Sequence, residues 1–385
     1  MYRPMGIAAS LFESGACVLD LGRWPYYIDG GKGSAMHSAI VDCGCLPGMG
    51  RHGGLPLRVL ALAGVIMGLC LVEAAGRDAK SWTHIEMVDR YSFEGEVVQS
   101  KDLSGLAFIS DRFGLLGADE ARQVQVVELV RPAKILRILE TITLLRSGSE
   151  IDIEAIAAEG DCYYIVGSHG AAKVSGQQQQ NRYRIFRLQV DRATGRPSGP
   201  LAASLKVGSL ADILRADPVL GPHFAQPLQR RGVNIEGLAA RNGRLYVGFR
   251  SPNLQGDAFV MEIRADDVFG GAARPTYTLH RLHLGPGLGI RDLVAARSGF
   301  LLIAGNAGSE PSKEYPDSQD YDKDREFSLF HWEGANSEVH RIGALPKTPG
   351  QAEALAVLEE TPNSVTVLIL FDGPEGGRPT VYRVS

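Results

Sequence analysis

Several things are scarce in this chain, and each shortage excludes a class of protein. Cysteine is one: five occur in 385 residues, and of these only Cys162 lies beyond residue 76. No zinc-ligand spacing can be built from them, and the chain after residue 76 cannot close an internal disulfide. There is no Gly-rich phosphate loop and no Ser nucleophile motif. Basic excess is missing too: 40 Lys and Arg stand against 44 Asp and Glu, a net charge of −4. With no aromatic–basic array, that argues against nucleic acid. Long helical periodicity is almost absent, which argues against an α/β fold.

What the chain has instead is ordinary soluble composition, 44% hydrophobic, and a recurring strand–turn–strand layout. The clearest copy runs from Gly232 to Pro252. Ile235 to Ala239 is an apolar run interrupted by Glu236 and Gly237, and Leu245 to Phe249 is a second strand rich in β formers. Asn242-Gly243 between them is a strong two-residue hairpin signal, because both turn positions need φ > 0. In an antiparallel hairpin the start of the first strand lies beside the end of the second. Glu236 and Arg250 are therefore expected at one edge of the sheet, away from the turn.

Looser copies start at Asp102-Leu103-Ser104-Gly105, Asp152-Ile153-Glu154-Ala155, Gly289-Ile290-Arg291-Asp292 and Gln351-Ala352-Glu353-Ala354. Strand-like runs lie between them, so each unit offers about four strands over roughly 50–60 residues, the scale of a propeller blade. The reading is an all-β β-propeller of five blades. Six is the alternative, with the extra blade placed in the long spacing between the second and third copies. The ring would close by pairing Thr380–Val384 with Ile85–Tyr91, which removes exposed sheet edges.

Three domains follow. Residues 1–48 read poorly as a domain, as an over-extended gene model would, disordered and followed by a start at Met49. Residues 49–76 carry Arg51 and Arg58, then Val59 to Val72 without a charge, then Glu73-Ala74-Ala75-Gly76. That is the layout of a secretory signal peptide, with a single N-terminal anchor helix as the alternative. The apolar run, at 14 residues, is short for a span, which needs about 20. Residues 77–385 form one propeller domain, periplasmic or secreted, and monomeric. Leu201 to Arg231 contains one helical insert, capped by Ser209 and ended by Pro218. Ser309 to Glu326 is polar and reads as a solvated, mobile loop. Its Asp320, Asp322 and Asp324 alternate as in a calcium loop, but Arg325 stands where Gly is needed and His331 at the closing position.

By the hairpin geometry, strand starts and strand ends converge on one mouth of the central channel. Glu154, Glu236, Asp292 and Glu353 start the inner strands, with Ser104 in the equivalent place of the first unit. Asp119, Ser168-His169, Arg250, Asn306 and Asp372 end the second strands. Four carboxylates in a ring repel one another unless something neutralises them. One reading gives them a hard cation such as calcium. His169, Arg250 and Asp372 are then candidates for catalysis, and His169 and Arg250 for holding a small anionic ligand, with Ser104, Arg291 and Asn306 as further ligand-binding candidates. The other reading is structural: a buried acid accepts N–H groups from the next blade, and Arg250 and Arg291 close an ion network.

The run Val233-Asn234-Ile235-Glu236-Gly237-Leu238-Ala239, with Tyr164 to His169 before it and Gly289 to Leu293 after it, resembles a bacterial domain family of unknown function. The resemblance covers roughly residues 85–385. The Glu-Gly-Leu-Ala element also resembles the esterase-like phytase family, whose members are taken to be propellers; that likeness implies an ester or phosphoester substrate. Two functional expectations result. One is an exported enzyme performing metal-assisted ester or phosphoester hydrolysis at the mouth. The other is a non-enzymatic propeller that binds a small ligand or a protein partner, since fold does not decide function.

Overall fold

The computed structural model describes residues 82–172, 176–271, 275–346 and 348–385, together with 9–11 and 17–19. Ala9–Leu11 pairs antiparallel with Cys17–Leu19. Apart from that pair, the expected over-extension at 1–48 and the expected signal peptide at 49–76 lie outside the described residues.

The propeller begins with β1 (Ile85–Arg90) and β2 (Ser92–Glu94). Blade 1 follows with β3 (Leu103–Phe108), β4 (Phe113–Ala118), β5 (Gln123–Val130) and β6 (Ile135–Thr143). Blade 2 has β7 (Ile153–Glu159), β8 (Cys162–Gly167), β9 (Ile185–Gln189) and β10 (Leu205–Gly208). Blade 3 has β11 (Asn234–Arg241), β12 (Arg244–Ser251), β13 (Asp257–Arg264) and β14 (Tyr277–His283). Blade 4 has β15 (Leu288–Ala296), β16 (Gly299–Asn306), β17 (Ser328–Trp332) and β18 (Val339–Ala344). Blade 5 has β19 (Gln351–Glu360), β20 (Val365–Asp372) and β21 (Thr380–Val384).

Blade 5 is completed by β1, which pairs antiparallel with β21 from Thr380↔Arg90 to Val384↔Ile85. That pairing joins the two ends of the domain and leaves the ring without a gap. The inner strands touch their neighbours in a closed cycle, β3 to β7 to β11 to β15 to β19 and back to β3. The architecture is a five-bladed propeller. The long spacing between the second and third copies holds β9 and β10 of blade 2 and short helices, so no sixth blade is there. Blade 1 gains an extra edge, because β2 runs parallel to β6 from Ser92↔Ile135.

The local chemistry behaves as its residues dictate. Asn242 and Gly243 adopt φ of 53° and 71°, the left-handed values the tight hairpin demands. The apolar residues of adjacent blades interdigitate: Ile290, Leu293 and Leu302 of blade 4 pack with Ala239, Ala258 and Val260 of blade 3. Fully buried side chains such as Phe249, Phe259 and Trp332 contribute roughly 1.5–3 kcal/mol or more each through burial.

The expected helical insert is present as α1 (Leu201–Ser204) and α2 (Ala211–Ala216), and α3 (Ala265–Phe269) joins β13 to β14. Leu210 and Leu214 are fully buried, and the Ser209 hydroxyl accepts the Ala211 N–H at 3.2 Å. Among the described residues no helix is long and apolar enough to cross a membrane.

A candidate binding site at the channel mouth

Each inner strand carries one extra residue near its start. In β3 the pairing jumps from Leu103↔Ala118 to Gly105↔Gly117, leaving Ser104 bulged. The same jump leaves out Glu154 in β7, Glu236 in β11 and Glu353 in β19. In β15 it leaves out Arg291, because Ile290 pairs with Ala304 and Asp292 with Ile303. A β-bulge re-aims a side chain and often borders functional sites. Here five bulges stand at the same level of five inner strands. The ring is Ser104, Glu154, Glu236, Arg291 and Glu353.

That register corrects the sequence reading of the fourth copy, which put Asp292 in the ring. Asp292 occupies the next position, equivalent to Gly105, Ala155, Gly237 and Ala354. Its Oδ1 accepts the Leu293 N–H at 2.7 Å and its Oδ2 accepts the Leu355 N–H of blade 5 at 2.6 Å. A further bond comes from the Leu238 amide of blade 3. Asp292 is thus an internal tie between three blades. Burial pushes its carboxyl well above the usual carboxylate range, against the pull of the three amides.

The ring residues and the strand ends meet as the hairpin geometry requires. Glu154, Glu236, Glu353, Arg250, Asn306, Asp372 and Asp119 line one cavity of about 390 Å³. Within it Arg250 Nη1 donates to Glu236 Oε1 at 2.7 Å, while its Nε and Nη2 donate to the carbonyls of Asn306 and Gly308 at 3.0 and 2.7 Å. Arg291, 1% exposed, brings Nε to 2.8 Å from Glu236 Oε2. That approach is a charge contact whose angle falls outside a hydrogen bond. Arg291 Nη2 also bonds Glu353. Burial alone would lower the Arg291 pKa, but Glu236 and Glu353 outweigh it and raise it, so the guanidinium stays charged.

Ser104 is fully buried, and its hydroxyl donates to the Ile153 carbonyl of the next blade. Asn306 exchanges two bonds with the backbone of Asp322, each 2.9 Å. Asp372 Oδ2 accepts from Gln351 Nε2 at 3.2 Å.

His169 does not reach the mouth. Its φ is 52°, and the chain turns the ring away into the insert. The Leu210 N–H donates to Nε2 at 3.1 Å, so the ring proton sits on Nδ1 and is donated to the Gly167 carbonyl at 2.9 Å. Complete burial lowers its pKa to about 4 and keeps it neutral. It braces the start of α2 and is removed from any acid–base role at the mouth. Cys162 is half-buried, and burial pushes its thiol up to about 11.

No group of three or more His, Cys, Asp or Glu side chains is arranged to hold a metal ion among the described residues. The ring position where a fourth carboxylate was expected carries the Arg291 guanidinium, which engages Glu236 and Glu353. The acids are partly neutralised from within, as the structural reading anticipated for Arg250 and Arg291.

Sequence reasoning missed the part of the wall built by the insert after β16. Ser309, Glu310, Tyr321, Lys323 and Arg325 all border the cavity. The signal was available, since the insert leaves from Asn306, a strand end already assigned to the mouth. The insert is also anchored: Arg231 Nε reaches Asp320 Oδ2 at 2.6 Å.

The family model described as protein of unknown function (DUF3616) matches residues 102–194 and 186–383. The chain belongs to that family. The match supports the first of the two resemblances and gives no support to the esterase-like phytase one. No curated protein matches the sequence. Among solved structures, a streptogramin B lyase is 8% identical, with a TM-score of 0.36, covering 80% of this chain and 100% of its own. YCF48 bound to D1 peptide is 14% identical, with a TM-score of 0.32, covering 76% and 67%. Likenesses at that level carry no inference about activity or ligand.

Proposed function

We propose that this propeller is a non-enzymatic binding protein whose mouth cavity takes a small, positively charged organic ligand. The observation that carries the reading is the charge balance of the cavity. Six acidic side chains line it, Asp119, Glu154, Glu236, Glu310, Glu353 and Asp372, against Arg250, Lys323 and Arg325 in the lining and the buried Arg291 in the ring. The two guanidinium groups expected to receive an anion, Arg250 and Arg291, are already engaged by Glu236, Glu353 and two carbonyls. An anionic ligand would face the acid excess in a partly enclosed space, where like charges repel. An ammonium or guanidinium ligand would meet the chemistry the ring already satisfies with its own arginines. Its volume lies within the range of small-molecule pockets.

Hydrolysis fits less well. His169, the named acid–base residue, is locked in the insert, and Asp292, a named cation ligand, ties the blades together. The discriminating experiment is a thermal-shift panel at low salt. It sets agmatine and spermidine against glucose and citrate, and runs model esters and phosphoesters with and without calcium in parallel. The cations should raise the melting temperature by mass action, and no ester should turn over. Stabilisation by citrate alone, or calcium-dependent turnover, would reject the proposal. Export to the periplasm is part of the same reading: the Arg51 to Gly76 layout suggests a mature start near Gly76 or Arg77, checked by N-terminal sequencing of protein made in a bacterial host.

A further inference from the structure

Two inserts from different blades meet beside the mouth cavity, which the second of them borders. One is the connection from blade 2 to blade 3, ending in Gln229, Arg230 and Arg231. The other is the stretch between β16 and β17. Arg231 Nε and Nη2 take the two oxygens of Asp320 at 2.6 and 3.2 Å, a forked charge-assisted pair. Gln229, 2% exposed, accepts the Gln319 N–H on its backbone carbonyl at 3.0 Å and donates its side-chain Nε2 to the Glu310 backbone carbonyl at 3.2 Å. The Arg230 guanidinium lies 5.5 Å from the centre of the Tyr315 ring. Beneath, the second insert is pinched at its base, where Gly308 N–H donates to the Asp320 carbonyl at 2.9 Å. A Cβ at Gly308 would run into the Gln319 carbonyl, so only glycine allows that closure.

Arg231 and Asp320 both hold left-handed backbone, at φ 60° and 59°. Side chains in such conformations persist where the surroundings over-determine them, often at clamps and switch segments. The pair is polar and partly solvated, with Asp320 12% and Arg231 39% exposed in the side chain. Among the described residues no apolar cluster joins the two inserts at this point. Their junction therefore rests on charge and a few hydrogen bonds, the kind of contact that opens locally without unfolding the blades.

We infer that residues 309–326 form a lid over the mouth, and that the Arg231–Asp320 pair is the clasp that holds it shut. When the pair breaks, Gln319 and Glu310 lose their fixed partner segment. The part of the wall made by Glu310 and Tyr321 then swings away from the cavity, while Asp322 stays tied to Asn306 and Arg325 to the Pro286 carbonyl. The inference takes the mouth as the working site of the preceding section. Its test uses no ligand, so failure of the lid and failure of the binding reading are separable.

The experiment is native-state trypsin cleavage at Lys313 and Lys323, both exposed, with peptide-resolved amide exchange over 309–326. It is run on the whole chain. Arg231→Ala and Asp320→Asn should each raise cleavage and exchange by about tenfold, the effect of losing one part-buried forked pair. Arg231→Lys, which keeps charge but not the fork, should fall between. Wild-type opening should rise with ionic strength. Exchange in β16 should not change in any variant, which shows that the blades remain folded. Cleavage within twofold of wild type in both Arg231→Ala and Asp320→Asn would overturn the clasp. A rise in β16 exchange equal to that of the insert would overturn local opening.

Discussion

His169 gives the sharpest quantitative expectation. It is fully buried, with a pKa lowered to about 4 by desolvation. In the unfolded chain the same group titrates near 6.5. A folded pKa below the unfolded one means that the unfolded chain takes up the proton first as the solution is acidified. Stability is therefore intact above pH 6.5 and is lost as pH falls from there towards 4. At about 1.4 kcal/mol for each tenfold change in proton affinity, the full loss is roughly 3 kcal/mol, of which about 2 has gone by pH 5. The atomic cause is specific: a proton on Nε2 would confront the Leu210 N–H, turning an accepting nitrogen into a second donor. The assay is denaturant unfolding at several pH values between 7 and 4, on wild type and on His169→Gln. Gln cannot titrate, so the variant is less stable at pH 7 but should lack this part of the slope. The difference between the two proteins should shrink as pH falls. Parallel slopes would refute the reasoning, because the acid sensitivity would then arise elsewhere.

Asp292→Ala should cost about 3–5 kcal/mol, since it strands buried amides of three blades at once; Asp292→Asn should cost about 1–3 kcal/mol, and both are read from the denaturant midpoint. Arg291→Met should destabilise by about 3–5 kcal/mol at neutral pH by removing the buried guanidinium that faces both Glu353 and Glu236, Glu236 then keeping only Arg250, and adding Glu353→Gln to it should recover part of the loss. Deleting Thr380–Val384 should prevent folding of the ring, because β1 loses its partner; a cooperative melt in the truncated protein would contradict the closure.

Much of the fold was legible because the information is local. Asn242-Gly243, the apolar strand-like runs and the recurring strand starts each announce themselves within a few residues. The closing strand was readable because a ring must hide its edges. The site was legible only in part. Glu154, Glu236, Glu353 and Arg250 reach the mouth because strand starts and ends are neighbours in any hairpin.

The fourth copy misled because Arg291 and Asp292 are both charged. The bulge that selects between them is a one-residue slip, and a slip of one residue sends a side chain to the other face. His169 misled for a different reason: its left-handed backbone turns the ring towards Leu210 of the insert, a partner far along the chain. The insert at 309–326 looked solvated because its composition is polar, yet its anchors are a distant arginine and backbone amides. Composition does not reveal partners about 90 residues away in sequence, as with Arg231 and Asp320.

The mouth as a site for an organic cation is tested most directly by calorimetric titration of agmatine into the whole protein at low salt, repeated with Glu154→Gln. The account predicts saturable binding that weakens as salt is added, and a loss of roughly tenfold in affinity in the variant, the scale of one charge-assisted contact. Absence of agmatine binding, or equal affinity in wild type and Glu154→Gln, would contradict it.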